Sequence, residues 1–224
     1  MILYVDNEHA SVYERPKMDR LGAARLRITY RLQDLTGDIC LLQRYPDVTP
    51  ALIEQYGIRA VFISGHGAAP DLFDEADRTG LREIVRAGTT PVFGFCGGLQ
   101  FIAETLGVEI RRIGPIPEGA EDPVPAYEPG WLKEVGYEPV TVVADHPLVS
   151  DLGPEPVFRH AHTWELAEAP AGFDVLASTD LTRVQLAAHR DLPLAGSQFH
   201  PEYWTDEAPA GRTLIENFVR WVGL

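Results

Sequence analysis

The residues able to do chemistry concentrate in two short stretches. In Val92-Phe93-Gly94-Phe95-Cys96-Gly97-Gly98-Leu99 an apolar run meets a glycine-flanked cysteine, and a helical pattern starts at once. Strand, tight turn and helix in that order throw the central side chain out at the carboxyl edge of a sheet. The helix N-terminus beyond it favours thiolate, and the Gly97 N–H stands where an oxyanion would develop. The competing role for Cys96 is a small buried hydrophobe. The second stretch is Gln198-Phe199-His200-Pro201-Glu202. A thiol nucleophile needs a base within hydrogen-bond reach and a group that orients the base. His200 and Glu202, two apart on an extended chain, share a face and supply both.

The elements that must position these groups follow from periodicity. Short apolar runs at 2–6, 39–43, 60–64 and 91–95 read as buried strands. Helical patterns at 18–35 (Met18 through Leu35, ended by Gly37), 50–56 and 75–87 lie between them. Strands alternating with helices imply crossover units and a parallel sheet covered on both faces. Residues 114–130, with five prolines and three glycines, read as an irregular excursion within one domain spanning 1–224. Strand patterns then dominate at 134–144, 156–166, 173–178, 182–189 and 193–199, and a helix at 208–222 closes the chain. The expected architecture is α/β: an open, mainly parallel sheet flanked by helices, its later strands partly antiparallel. The cysteine turn and the histidine then share the sheet edge where ligands bind in such folds.

Gly94-Phe95-Cys96-Gly97-Gly98-Leu99-Gln100 resembles the G-x-C-x-G-x-Q signature of class I, triad-type glutamine amidotransferases. Gln198-Phe199-His200-Pro201-Glu202 is similar to that family's histidine and glutamate motif. The resemblance runs through essentially the whole chain and implies a flavodoxin-like sheet. It implies Cys96 as nucleophile, His200 as base and acid, and Glu202 as the group orienting His200. Ser64-Gly65-His66-Gly67-Ala68-Ala69-Pro70 occupies the place of the family's glycine-rich loop, with His66 where the middle glycine usually stands. Gly97, His66, Gly65 and Gly67 are then expected around the oxyanion, and Gln100, Ala68, Thr163 and Trp164 around the substrate. L-Glutamine is the implied substrate, and the ammonia released would pass to a partner synthase. No Walker-type phosphate loop is present, so a synthase half is expected on another polypeptide. Alternatives are a free-standing γ-glutamyl hydrolase acting on γ-glutamyl amines or peptides, and a catalytically silent regulatory subunit.

Composition narrows the partners. The 224 residues carry 19 Lys+Arg and 33 Asp+Glu, a formal net charge of −14. Residues 1–112 hold 13 basic and 15 acidic side chains, whereas 113–224 hold 6 and 18. That surface repels nucleic-acid backbones and anionic membranes, and a docking partner is expected to present a basic face. Two cysteines, Cys40 and Cys96, make a disulfide framework implausible and fit a reducing cytoplasm, with Cys40 read as a core residue. No apolar run is long enough to cross a membrane. His160 and His162 share a strand face and could begin a metal site, but no third ligand is evident beside them. No metal and no cofactor are expected.

Overall fold

The computed structural model describes residues 1–15 and 19–224. The first strand, β1 (Ile2–Asp6), places Leu3 and Val5 in one apolar core and Ile2 and Tyr4 in another, all fully buried. A strand covered on both faces has no solvent side, so it reads as an unbroken apolar run. The chain continues through α1 (Ala10–Tyr13), α2 (Asp19–Thr36), β2 (Cys40–Arg44), α3 (Pro50–Tyr56) and β3 (Val61–Ile63). Next come α4 (Glu75–Ala87), β4 (Val92–Phe95), α5 (Gly97–Thr105) and β5 (Ile110–Arg112). Hydroxyl and carboxylate caps start two helices: Thr49 accepts from the Leu52 amide at α3 and Asp74 from the Ala76 amide at α4. The expected helix over 18–35 corresponds to α2, and Met18 lies outside the described residues.

The second half supplies β6 (Glu134–Pro139), β7 (Thr141–Val142), β8 (Val157–His162), β9 (Trp164–Leu166), β10 (Phe173–Ser178), β11 (Leu186–His189), β12 (Leu194–Ser197) and α6 (Ala210–Trp221). Eight strands make the main sheet in the order β2-β1-β3-β4-β12-β11-β10-β7. The first five are parallel; β11, β10 and β7 are joined antiparallel. This is the mixed, mostly parallel sheet that the element pattern predicts. The inner strands β3, β4 and β12 end side by side, so the loops that follow them share one edge.

Two expected strands divide. The run 134–144 becomes β6 and β7, and 156–166 becomes β8 and β9. β6 and β8 leave the main sheet as a separate antiparallel ribbon, while β9 turns away to pair with β5. The break after His162 coincides with Trp164, which stands opposite Arg112 in the β5–β9 pair. β-Propensity runs uninterrupted through such a break, so composition does not reveal it. None of the helices is long and apolar enough to cross a membrane, among the described residues.

Candidate active site

Cys96 leaves β4 with φ 49° and ψ −106°, a conformation L-residues rarely adopt and one that costs on the order of 1–3 kcal/mol. The surroundings impose it. The Cys96 amide donates to Ser197 O (2.7 Å), and Cys96 O accepts from the Gln100 amide (3.1 Å). Helix α5 starts against β3 so tightly that a β-carbon on Gly98 would overlap the Ile63 carbonyl, and one on Gly97 the His66 ring. The two glycines therefore let the turn and the neighbouring loop share one small volume.

His200 follows β12 and is anchored by its amide, which donates to Arg159 O at 2.7 Å. Its Nδ1 donates to Glu202 Oε1 at 2.8 Å, and the Glu202 side chain is 1% exposed. Burial pulls the imidazolium down, but the charges of Glu202 and Cys96, with side-chain hydrogen bonds to both, outweigh it. The net result raises His200 to about 10. Gly65 marks where the groups converge: a β-carbon there would lie 3.0 Å from His200 Cε1 and 3.4 Å from Cys96 Cβ. Cys96, His200 and Glu202, 106 residues apart at their extremes, thus meet at the shared edge of β4 and β12.

The Ser64–Ala68 loop is held from below by the end of β1. Buried Arg25 pairs with Asp6 (2.8 Å) and donates to Gly65 O (2.8 Å). Glu8 accepts from the amides of Gly67 (2.7 Å) and Ala68 (3.1 Å). Desolvation raises Glu8 above the usual carboxylate range, against the pull of those amides. The expectation that Gly67 serves the oxyanion and Ala68 the substrate therefore meets a competing use of both amides. The amides of His66 and Gly97 have no intramolecular partner among the described residues. The His66 ring packs edge-on against Phe73 (centroids 5.0 Å apart), and its Nδ1 donates to Ala68 O (3.2 Å). Burial, reinforced by Arg78, pushes His66 down to about 4, so its ring is neutral near pH 7.

A cleft of about 340 Å³ opens beside Cys96, lined among others by Gln100, Arg112, Tyr127, Thr163 and Trp164. Gln100 Nε2 donates to Gln198 Oε1 (3.1 Å) and reaches Trp164 O (3.4 Å). Thr163 Oγ1 accepts from Arg112 (2.6 Å), whose guanidinium also lies 4.5 Å over the Trp164 ring. The proline-rich excursion reaches the site through Tyr127 and Glu128 at the cleft, and Tyr127 donates its hydroxyl to Ala161 O (2.8 Å). Past Glu202, Tyr203 packs edge-on against the His200 ring (5.7 Å). Reading the residues in order misses Gln198, whose Nε2 donates to Cys96 Sγ at 3.4 Å, and Arg112, which carries no motif. It also misses Glu134, which the β6–β8 register sets directly opposite His162.

Residues 35–221 match the family described as glutamine amidotransferase class-I. The imidazole glycerol phosphate synthase subunit HisH of Chromobacterium violaceum is 30% identical over 171 residues, covering 73% of this chain and 78% of that protein. A glutamine-hydrolyzing GMP synthase of Symbiobacterium thermophilum is 28% identical over 183 residues, 79% of this chain. The match spans only 31% of that relative's length. The crystal structure of a glutamine amido transferase from Methylobacillus flagellatus superposes with a TM-score of 0.67 at 16% identity, covering 99% of this chain and 94% of that one, a likeness of fold.

Proposed function

Since this chain belongs to the class-I glutamine amidotransferase family, we propose that it hydrolyses the side-chain amide of L-glutamine through Cys96, His200 and Glu202 and delivers ammonia to a partner synthase. The observation that carries the reading is Cys96, on a strained backbone turn, beside an imidazole whose far nitrogen is tied to Glu202 at 2.8 Å. The Cys96 thiolate attacks the amide carbon, and the C=O electron pair moves to oxygen. The His66 and Gly97 amides donate to that oxyanion. Collapse breaks the C–N bond as His200 hands a proton to the departing nitrogen, releasing ammonia and leaving a γ-glutamyl thioester. His200 then takes a proton from water, whose oxygen displaces Cys96 to give glutamate. Glu202 keeps the His200 Nδ1 proton in place, so that Nε2 exchanges protons with the reacting groups.

The two relatives are named as a synthase and a synthase subunit, which supports delivery of ammonia rather than its release. The acidic second half of the chain supports a basic docking face on that partner, whose binding then weakens with salt. The deciding test is ammonia release from glutamine by Cys96→Ala, together with mass-spectrometric trapping of the wild type by a diazo-ketone analogue of glutamine. The variant is expected to be inactive and the adduct to sit on Cys96. Turnover by Cys96→Ala refutes the reading. Faster cleavage of γ-glutamyl amides than of glutamine favours the hydrolase alternative instead.

A further inference from the structure

At the wall of the cleft, which His162 helps to line, lies a second group of side chains that the amide chemistry does not use. Strands β6 and β8 pair antiparallel with Glu134 opposite His162 and Gly136 opposite His160. Glu134, His160 and His162 therefore project from one face of the ribbon, and Gly136 leaves the space opposite His160 free of a side chain. Both histidines are buried, His160 completely. Neither ring nitrogen of His160 makes a hydrogen bond of regular geometry, an expensive condition for a buried imidazole.

The orientation of His162 is informative. Its Nδ1 donates to Trp164 O at 3.0 Å, which turns Nε2 toward Glu134 Oε2 at 3.1 Å. That close approach lacks hydrogen-bond geometry. With Nδ1 carrying the proton, Nε2 and Glu134 Oε2 set lone pairs toward one point, and Oε2 also accepts from Gln185 Nε2 at 2.6 Å. A backbone carbonyl fixing the tautomer of an imidazole from behind is the usual outer support of a metal-bound histidine. One donor atom from each of the three residues falls within 4.8 Å of the other two. Ligands around a tetrahedral zinc ion sit about 3.4 Å apart, given bond lengths of about 2.1 Å, so binding would draw the three inward by about 1 Å.

We propose that Glu134, His160 and His162 form a binding site for one divalent transition-metal ion of the zinc type, held by two imidazole nitrogens and one carboxylate oxygen. The site is distinct from the cysteine centre and contains no sulfur. Its effect reaches the cleft through the backbone, because β8 leads directly into Thr163 and Trp164, whose carbonyl also accepts from Gln100. The ion would thus clamp β6 to β8 and stiffen the wall of the cleft that His162 itself lines. The proposal stands whether or not the glutaminase reading does.

The test uses the full chain, stripped of metal by a chelator and titrated calorimetrically with Zn²⁺ alone. The expected result is one tight equivalent, a raised Tm, and an X-ray absorption spectrum with only nitrogen and oxygen neighbours at about 2.0–2.1 Å. His160→Gln and Glu134→Gln should each weaken binding at least tenfold. Failure of the wild type to bind zinc overturns the proposal. So does a sulfur neighbour at about 2.3 Å, which would place the ion on a cysteine, or unchanged affinity in either folded variant. Should both variants fail to fold, the wild-type absorption spectrum decides alone.

Discussion

Gln198 Nε2 donates to Cys96 Sγ across 3.4 Å, while its Oε1 accepts from Gln100 Nε2 at 3.1 Å. One fully buried amide therefore ties the strained cysteine to the first turn of α5 and, through Gln100, to the Trp164 carbonyl. A donor aimed at sulfur stabilises thiolate over thiol, and hydrogen bonds to charged groups are worth about 1.5–3 kcal/mol. Gln198→Ala is predicted to lower kcat for glutamine roughly tenfold or more, the equivalent of about 1.4 kcal/mol. It should also slow alkylation of Cys96 by iodoacetamide. An unchanged alkylation rate would mean that the amide does not act on the sulfur.

The crowding of Gly97 against His66 makes a second prediction. A β-carbon at position 97 would meet the His66 ring, and would also come within 3.0 Å of the His66 amide nitrogen. Gly97→Ala should destabilise the fold by about 1–3 kcal/mol, in the range of overpacked cores, and should suppress glutaminase activity. Removing the ring with His66→Gly should restore part of the stability and less of the activity, since the amide contact remains. Denaturant titration of the two single variants and the double variant gives the coupling between the sites; purely additive losses would contradict the contact.

His66 also has a pH signature. Its folded value is depressed to about 4 by burial and Arg78, below an unfolded value near 6.5. Between those values the unfolded chain holds more protons, so stability rises with pH there. The contribution is complete above about 6.5 and is lost as the pH falls through about 4. Wild-type Tm should therefore drop more steeply than that of His66→Gly between pH 6.5 and 4. Parallel curves for the two proteins would show that His66 is not buried as a neutral ring.

His200 behaves in the opposite sense. Burial works against its proton, but the Glu202 and Cys96 charges raise it to about 10, above the unfolded value. The stability it contributes is complete below about pH 6.5 and is lost as the pH climbs through about 10. Glu202→Gln removes the largest favourable charge, so the alkaline loss of Tm should be smaller and end at lower pH. The same variant should reduce kcat on the order of a hundredfold or more, because the imidazole loses the partner that orients it. A variant with wild-type kcat would exclude Glu202 from the proposed triad.

What could be read from the chain divides along contact distance. The meeting of Cys96 with His200 and Glu202 was legible because each group lies in a stretch of seven residues or fewer whose local turn directs it to a strand end. The parallel half of the sheet was legible because doubly covered strands are apolar throughout. Glu8 was not, since a carboxylate bonding amides 59 residues away leaves no local trace. Glu134 was hidden for the same reason: its position opposite His162 depends on a ribbon register that strand propensity does not set.

The proline-rich excursion shows how such a hidden contact can govern the cleft. The Lys133 side chain is 1% exposed, and its ammonium pairs with Asp122 while donating to the carbonyls of Tyr127 (2.6 Å), Glu128 (2.9 Å) and Val124 (3.2 Å). Three of the four acceptors are main chain, so the residue types of the loop do not advertise them. The same loop presents Tyr127 and Glu128 to the cleft, and Glu128 pairs with Arg112 at 2.9 Å. Lys133→Met keeps the length of the side chain but removes every donor, leaving those carbonyls without their common partner. The 122–130 turn should then open, cut more readily by a protease of broad specificity, while the β4–α5 turn at Cys96 stays intact. KM for glutamine should rise severalfold with a smaller change in kcat. Equal loss of kcat with KM unchanged would place the effect of the loop on the reacting groups rather than on the wall of the cleft.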